Sequence, residues 1–189
     1  MPSPSRRLSA IANFLAPSTP VAVAPAEAGS GAGSAEVAAP FLPAPLLPGG
    51  IVMPLFKPDS PFVNAARMHE PEVYNGGQWQ PGDKIQGITN IHSPSFDIYA
   101  VAAPASTGAC VILVPGGGHR VLGVGGCSDL VALFAARGIS TAIVRCRLRI
   151  DGYDMNVDAL NDTLRCILLV RANAEKVRNI NACYIHSGA

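Results

Sequence analysis

The sequence has no excess of charge of either sign: 14 Lys and Arg stand against 13 Asp and Glu, a formal net charge of +1 over 189 residues. Without a strong field, nothing draws the chain onto nucleic acid or an anionic membrane, and neither is expected as a partner. No apolar run approaches the roughly 20 residues of a membrane-spanning helix, so the chain reads as soluble. The five cysteines, Cys110, Cys127, Cys146, Cys166 and Cys183, are odd in number and lack C-x-x-C spacing. Neither a disulfide framework nor a zinc site is indicated, and buried thiols are expected. The four histidines, His69, His92, His119 and His186, have no metal-ligand spacing either, so no metal and no cofactor is expected.

Lysines, acids and aromatics are scarce at the start of the chain. Residues 1–50 are dominated by Ala, Pro, Ser and Gly and hold only Glu27 and Glu36 as acids. Prolines such as Pro40, Pro43, Pro45 and Pro48 remove backbone donors and favour extended, solvated chain, which predicts a disordered linker. Arg6 and Arg7 ahead of a short apolar stretch fit a targeting segment; an untargeted tail fits the same composition, and the compartment stays open. Residues 51–94 read as an irregular lead-in, and 95–189 as the folded domain.

From Ser95 onward, strand and helix signals alternate. Residues 96–101 and the continuous apolar run 110–114 read as strands, the second covered on both faces. Ser128 is placed to cap a helix carrying Leu130, Leu133 and Phe134, with Gly138 closing it. Residues 139–144 form the next strand, and Asp154 starts a second helix. Its Leu160, Leu164, Ile167 and Leu168 make the stripe expected to lie on a sheet. A short strand over 182–185 leads to His186 and Ser187. Strands separated by single helices predict an α/β class, with a mainly parallel sheet and helices on both faces.

Ligands in such sheets sit at the carboxyl ends of strands, which here means the loop after Val114 and whatever follows Ile185. The triple glycine Gly116, Gly117, Gly118 frees backbone N–H groups and lets another molecule approach the main chain. A loop of this kind can hold the oxyanion of a tetrahedral acyl-transfer intermediate, with His119 beside it; an ordinary flexible turn is the plain alternative. Nucleotide binding is disfavoured, because neither GxxxxGK[ST] nor a complete G-x-G-x-x-G with its following acid is present. The closing residues Tyr184-Ile185-His186-Ser187-Gly188-Ala189 match the strand-to-helix elbow G-x-S-x-G only in part, the first glycine being absent.

Several ordered segments, however, resemble one family: Asn90-Ile91-His92-Ser93-Pro94-Ser95, Val114-Pro115-Gly116-Gly117-Gly118-His119-Arg120, Arg147-Leu148-Arg149, Asp151-Gly152-Tyr153-Asp154, and Leu169-Val170-Arg171-Ala172-Asn173-Ala174. Together they look like the N-terminal half of the acetyl-esterase branch of the α/β-hydrolases, which is acetylxylan-esterase-like and feruloyl-esterase-like. The resemblance runs over roughly residues 70–189. It implies a carboxylic ester hydrolase acting on a small-molecule or carbohydrate ester, with Gly116, Gly117, Gly118 and His119 as the oxyanion loop. The family's F-S-A-G-A pattern falls over Ile185 to Ala189. Laid without a gap, its serine meets His186, whereas a one-residue slip makes Ser187 the nucleophile, the assignment favoured here. The triad Asp and His of the family lie further downstream, so the resemblance also implies a sheet truncated after its fifth strand and an inactive, poorly stable fragment. A non-catalytic relative that uses the same cleft for binding is the alternative.

Overall fold

The computed structural model describes residues 39–174 and the backbone of residues 182–187. Expectations for the 1–38 segment, for Gly188 and Ala189, and for the side chains of Cys183, His186 and Ser187 fall outside the described residues. The elements in chain order are β1 (Ile51–Pro54), β2 (Val73–Tyr74), β3 (Gly87–Thr89), β4 (Ser95–Tyr99), β5 (Ala109–Val114), β6 (Leu122–Gly123), α1 (Cys127–Ala135), β7 (Ser140–Arg145), α2 (Leu160–Ala172) and β8 (Ala182–Ser187).

β5 is an unbroken apolar run, and β7 carries β-branched and apolar residues from Thr141 to Val144 between Ser140 and Arg145. Ile112, Leu113, Ala142, Ile143 and Val144 are almost wholly inaccessible, as strands covered on both faces require. They form the centre of a five-stranded sheet ordered β1-β4-β7-β5-β8. β7, β5 and β8 are parallel, with Ile112 opposite both Ala142 and Ile185. The other two strands correct the expectation of a mainly parallel sheet. β4 pairs antiparallel with β7, setting Phe96 opposite Val144, and β1 pairs antiparallel with β4, setting Val52 opposite Asp97. For β4 the physical reason is its connection 100–108 to β5, which holds no helix and is too short for a parallel crossover. The lead-in also carries β2 and β3, which join β6 in a small antiparallel sheet.

The step from β5 to β7 runs one way across the sheet, and the step from β7 to β8 runs back past β5. Right-handed crossovers in opposite directions place α1 and α2 on opposite faces, so the fold class is α/β with a mixed sheet. α1 is not capped by Ser128, whose hydroxyl donates to the Asp129 carboxylate at 3.3 Å; Gly126 stands at the cap position without a side-chain bond. Gly138 does close the turn after α1: its φ is +72° and its N–H donates to the Ala135 carbonyl at 3.0 Å. Asp154 starts the second helical segment as expected, its carboxylate accepting the Asn156 N–H at 2.8 Å ahead of one π-helical turn, Met155–Ala159.

The leucine stripe of α2 is a second correction. Leu160, Leu164 and Leu168 are 51%, 48% and 57% exposed, and the face packed on the sheet carries Asp162, Cys166, Leu169 and Val170. A buried carboxylate at Asp162 turns the helix, because that group has to reach Arg147 and cannot be left in the core unpaired. Cys110, Cys127, Cys146 and Cys166 are buried thiols. Among the described residues, no helix is long and apolar enough to cross a membrane.

Candidate active site

The chain leaves β5 at Val114 and enters the glycine loop, whose shape depends on three successive residues with positive φ: Gly117 at +133°, Gly118 at +61° and His119 at +61°. A Cβ on Gly117 would collide with the Val121 carbonyl oxygen, so only glycine fits there. The loop is held by its carbonyls. Gly116 accepts the Gly123 N–H at 2.8 Å, Gly117 accepts those of Arg120 (3.2 Å) and Val121 (3.4 Å), and His119 accepts that of Ile150 (3.2 Å). None of the N–H groups of Gly116, Gly117, Gly118 and His119 donates to another described residue. The loop therefore presents consecutive uncommitted donors at the carboxyl end of a central strand, which suits an anionic oxygen.

β8 lies beside this strand in parallel register, with His186 opposite Leu113 and Ser187 opposite Val114. The backbone of Ser187 is thus level with the residue that opens the glycine loop, one strand spacing of about 4.8 Å away. His186 sits one position further into the sheet. The register brings Gly116, Gly117, Gly118 and Ser187 to one end of two neighbouring strands. His119 shares the loop, and its residue is exposed.

A second layer of residues fixes the loops around this end. The carboxylate of Asp151 accepts the N–H groups of Asn90 (3.0 Å) and Ile91 (3.1 Å), and its carbonyl accepts from the Arg67 guanidinium at 3.1 Å. The turn that contains Asp151 also supplies the Ile150 N–H to His119, so one short segment ties the 90–92 strip to the glycine loop. His92 is fully buried. Its Nδ1 meets the Tyr153 hydroxyl at 2.7 Å, and its Nε2 meets Asn90 Oδ1 at 2.9 Å and Glu70 at 3.4 Å. Burial, reinforced by the nearby Arg67 charge, pushes the imidazole below its ordinary pKa, which favours a neutral structural ring. His92 is a fastener and is not presented as a general base.

Two arginines complete the frame. Arg145, at the end of β7, is fully buried and bonds Asp97 at 3.0 and 3.1 Å, Glu72 at 2.7 Å and the Ala44 carbonyl at 2.7 Å. Burial lowers its pKa, but the Glu72 and Asp97 carboxylates outweigh that and hold it charged. Arg147 bonds Asp162 at 2.7 Å, Asp158 at 3.0 Å and the Phe62 carbonyl at 2.7 Å, between the rings of Phe56 and Tyr153 at 5.7 and 5.2 Å. Arg147 pairs with Asp158 and Asp162 and not with Asp151 or Asp154. Sequence reading missed the partnership of Arg145 with Asp97 and Glu72. Its only signal is a charged residue inside each of two apolar strands.

No family model matches this chain. No curated protein matches it either. Solved structures of one esterase are similar to it in part. The esterase 2 of the planctomycete Thermogutta terrifontis, phosphoramylated by tabun, superposes with a TM-score of 0.50 at 19% identity, over 75% of this chain and 43% of that one. The form phosphorylated by paraoxon gives 0.49 at 19% identity, over 75% and 44%. The native enzyme gives 0.46 at 20% identity, over 51% and 36%. The chain spans less than half the length of these structures, and at this identity the likeness concerns the fold alone.

Proposed function

We propose that this chain carries the oxyanion loop and nucleophile strand of a carboxylic ester hydrolase of the acetyl-esterase kind, acting on small-molecule or carbohydrate esters. The observation that carries the reading is the row of uncommitted N–H donors from Gly116 to His119 at the end of a central strand, level with Ser187 in the neighbouring one. In this mechanism the Ser187 hydroxyl adds to the acyl carbon while its proton passes to a base, and the Gly117 and Gly118 N–H groups receive the developing oxyanion. Collapse releases the alcohol, and water then frees the acid. Among the described residues no general base is in place: His92 is buried and engaged, and no exposed histidine is paired with a carboxylate.

The test uses protein purified from its native source. Hydrolysis of short-acyl nitrophenyl esters that is lost in Ser187→Ala supports the reading. Absence of hydrolysis across acyl lengths, or hydrolysis that survives Ser187→Ala, refutes it.

A further inference from the structure

A concavity of about 330 Å³ lies away from the glycine loop, between the 44–47 strand of chain, the 74–85 excursion and the start of α1; Leu46, Tyr74, Trp79, Lys84 and Val124 line it. Its aromatic wall is an edge-to-face pair, Tyr74 and Trp79, with ring centroids 5.5 Å apart. The polar ends of both rings are already used. The Tyr74 hydroxyl donates to Glu72 at 2.9 Å, and the Trp79 Nε1–H donates to the Asp83 carbonyl at 2.9 Å. The Asp83 carboxylate, also at the cleft, accepts the Gln80 N–H at 2.9 Å. What these bonds leave for a ligand is ring faces, aliphatic side chains and the Lys84 ammonium, which has no ion-pair partner among the described residues.

The opposite wall is fixed before any ligand arrives. The Leu46 N–H donates to Asp97 at 2.6 Å, the Leu47 N–H to the Tyr99 hydroxyl at 3.0 Å, and Arg145 holds the Ala44 carbonyl at 2.7 Å. Val124 is held by its N–H to the Gln86 carbonyl at 2.9 Å. A preformed apolar cleft with few convergent polar groups is the usual form of a small-molecule site. The one thiol beside it, Cys127, is pushed up to about 11 by burial, so covalent capture by a thiolate is not the use of the cleft.

We infer that this cleft binds an amphipathic carboxylate of the arylalkanoate class, its ring seated against Trp79 and Tyr74 and its carboxylate paired with Lys84. The ring supplies apolar contact and edge-to-face packing, and the pair with Lys84 fixes orientation. The inference stands on the cleft alone and does not rest on the ester-hydrolase reading.

Trp79 is the only tryptophan of the chain, so its emission reports this site without a label. The full chain is titrated with phenylpropionate, phenylpropanol and phenylpropylamine, and Lys84→Met is titrated with phenylpropionate. Lys84 is exposed, and unchanged circular dichroism verifies the variant's fold. The expected result is a saturable change with phenylpropionate. Half-saturation should be about tenfold weaker for the alcohol and for Lys84→Met, as befits one charge-assisted contact. No saturable change overturns the inference, as does an alcohol or amine that binds as tightly as the acid, or a Lys84→Met variant that binds phenylpropionate as the parent does.

Discussion

Two neighbouring parallel strands end side by side in opposite conditions. At the end of β7, Arg145 spends its donors on Asp97, Glu72 and the Ala44 carbonyl, and two residues on Arg147 does the same with Asp158, Asp162 and the Phe62 carbonyl. At the end of β5, the N–H groups from Gly116 to His119 are given to no other described residue. The first end is tied down by charge-assisted bonds between buried side chains. Among the described residues the second is held through its carbonyls, and its N–H donors are given to none of them. Structure and chemistry are divided between adjacent strand ends.

The most severe way to break the contrast is Arg145→Met. It leaves Asp97 and Glu72 buried without their cation and is expected to cost about 3–5 kcal/mol, read from denaturant unfolding. A companion double variant that also carries Asp97→Asn should recover part of that loss, because one uncompensated charge is gone. The packing of α2 comes next. Leu169→Ala should cost about 2–4 kcal/mol as a cavity on the sheet side, whereas Leu164→Gln should stay within about 0.5 kcal/mol. The reverse order would restore the leucine stripe as the buried face.

At the open end, Gly117→Ala forces a Cβ toward the Val121 carbonyl in a backbone region that L residues avoid, and should cost about 1–3 kcal/mol in the same measurement. The smallest effect concerns His92. Because its folded pKa is lowered, the unfolded chain binds its proton first, so stability should fall as pH drops below about 6.5, the ordinary imidazole value. The fall ends once pH passes below the folded pKa. Unfolding midpoints across that window should decline less in His92→Gln than in the parent; an equal decline assigns the dependence elsewhere.

Much of the α/β alternation was legible because β5 is a continuous apolar run between Gly108 and Gly116, and β7 is a β-branched, apolar stretch that follows Gly138, patterns local enough to read in one dimension. The antiparallel pairings were not. β1 of the main sheet is four residues ending in Pro54, β2 and β6 of the small sheet are two residues each, and their pairing depends on partners far along the chain. The buried face of α2 was misread for a related reason. Leu160, Leu164 and Leu168 give the stronger apolar period, while the true inner face includes Asp162, which looks like a surface residue until Arg147 is brought to it. At the candidate site, the glycine loop was visible as composition. The Ile150 N–H that steadies it and the Asp151 carboxylate that ties it to Asn90 and Ile91 were not, since a carboxylate in an Asp-Gly turn gives no sign of donors some 60 positions away.

The most direct test of the open strand end is ester hydrolysis by the native-source protein, wild type against Gly117→Ala. If its N–H donors hold the oxyanion, Gly117→Ala, whose Cβ pushes the loop away from the Val121 carbonyl and so misaims donors it does not remove, should lower kcat by about 10²–10³, the size of losing one such donor, in protein that still unfolds cooperatively. A Gly117→Ala protein that is folded and hydrolyses esters at the parent rate would contradict the role given to this loop.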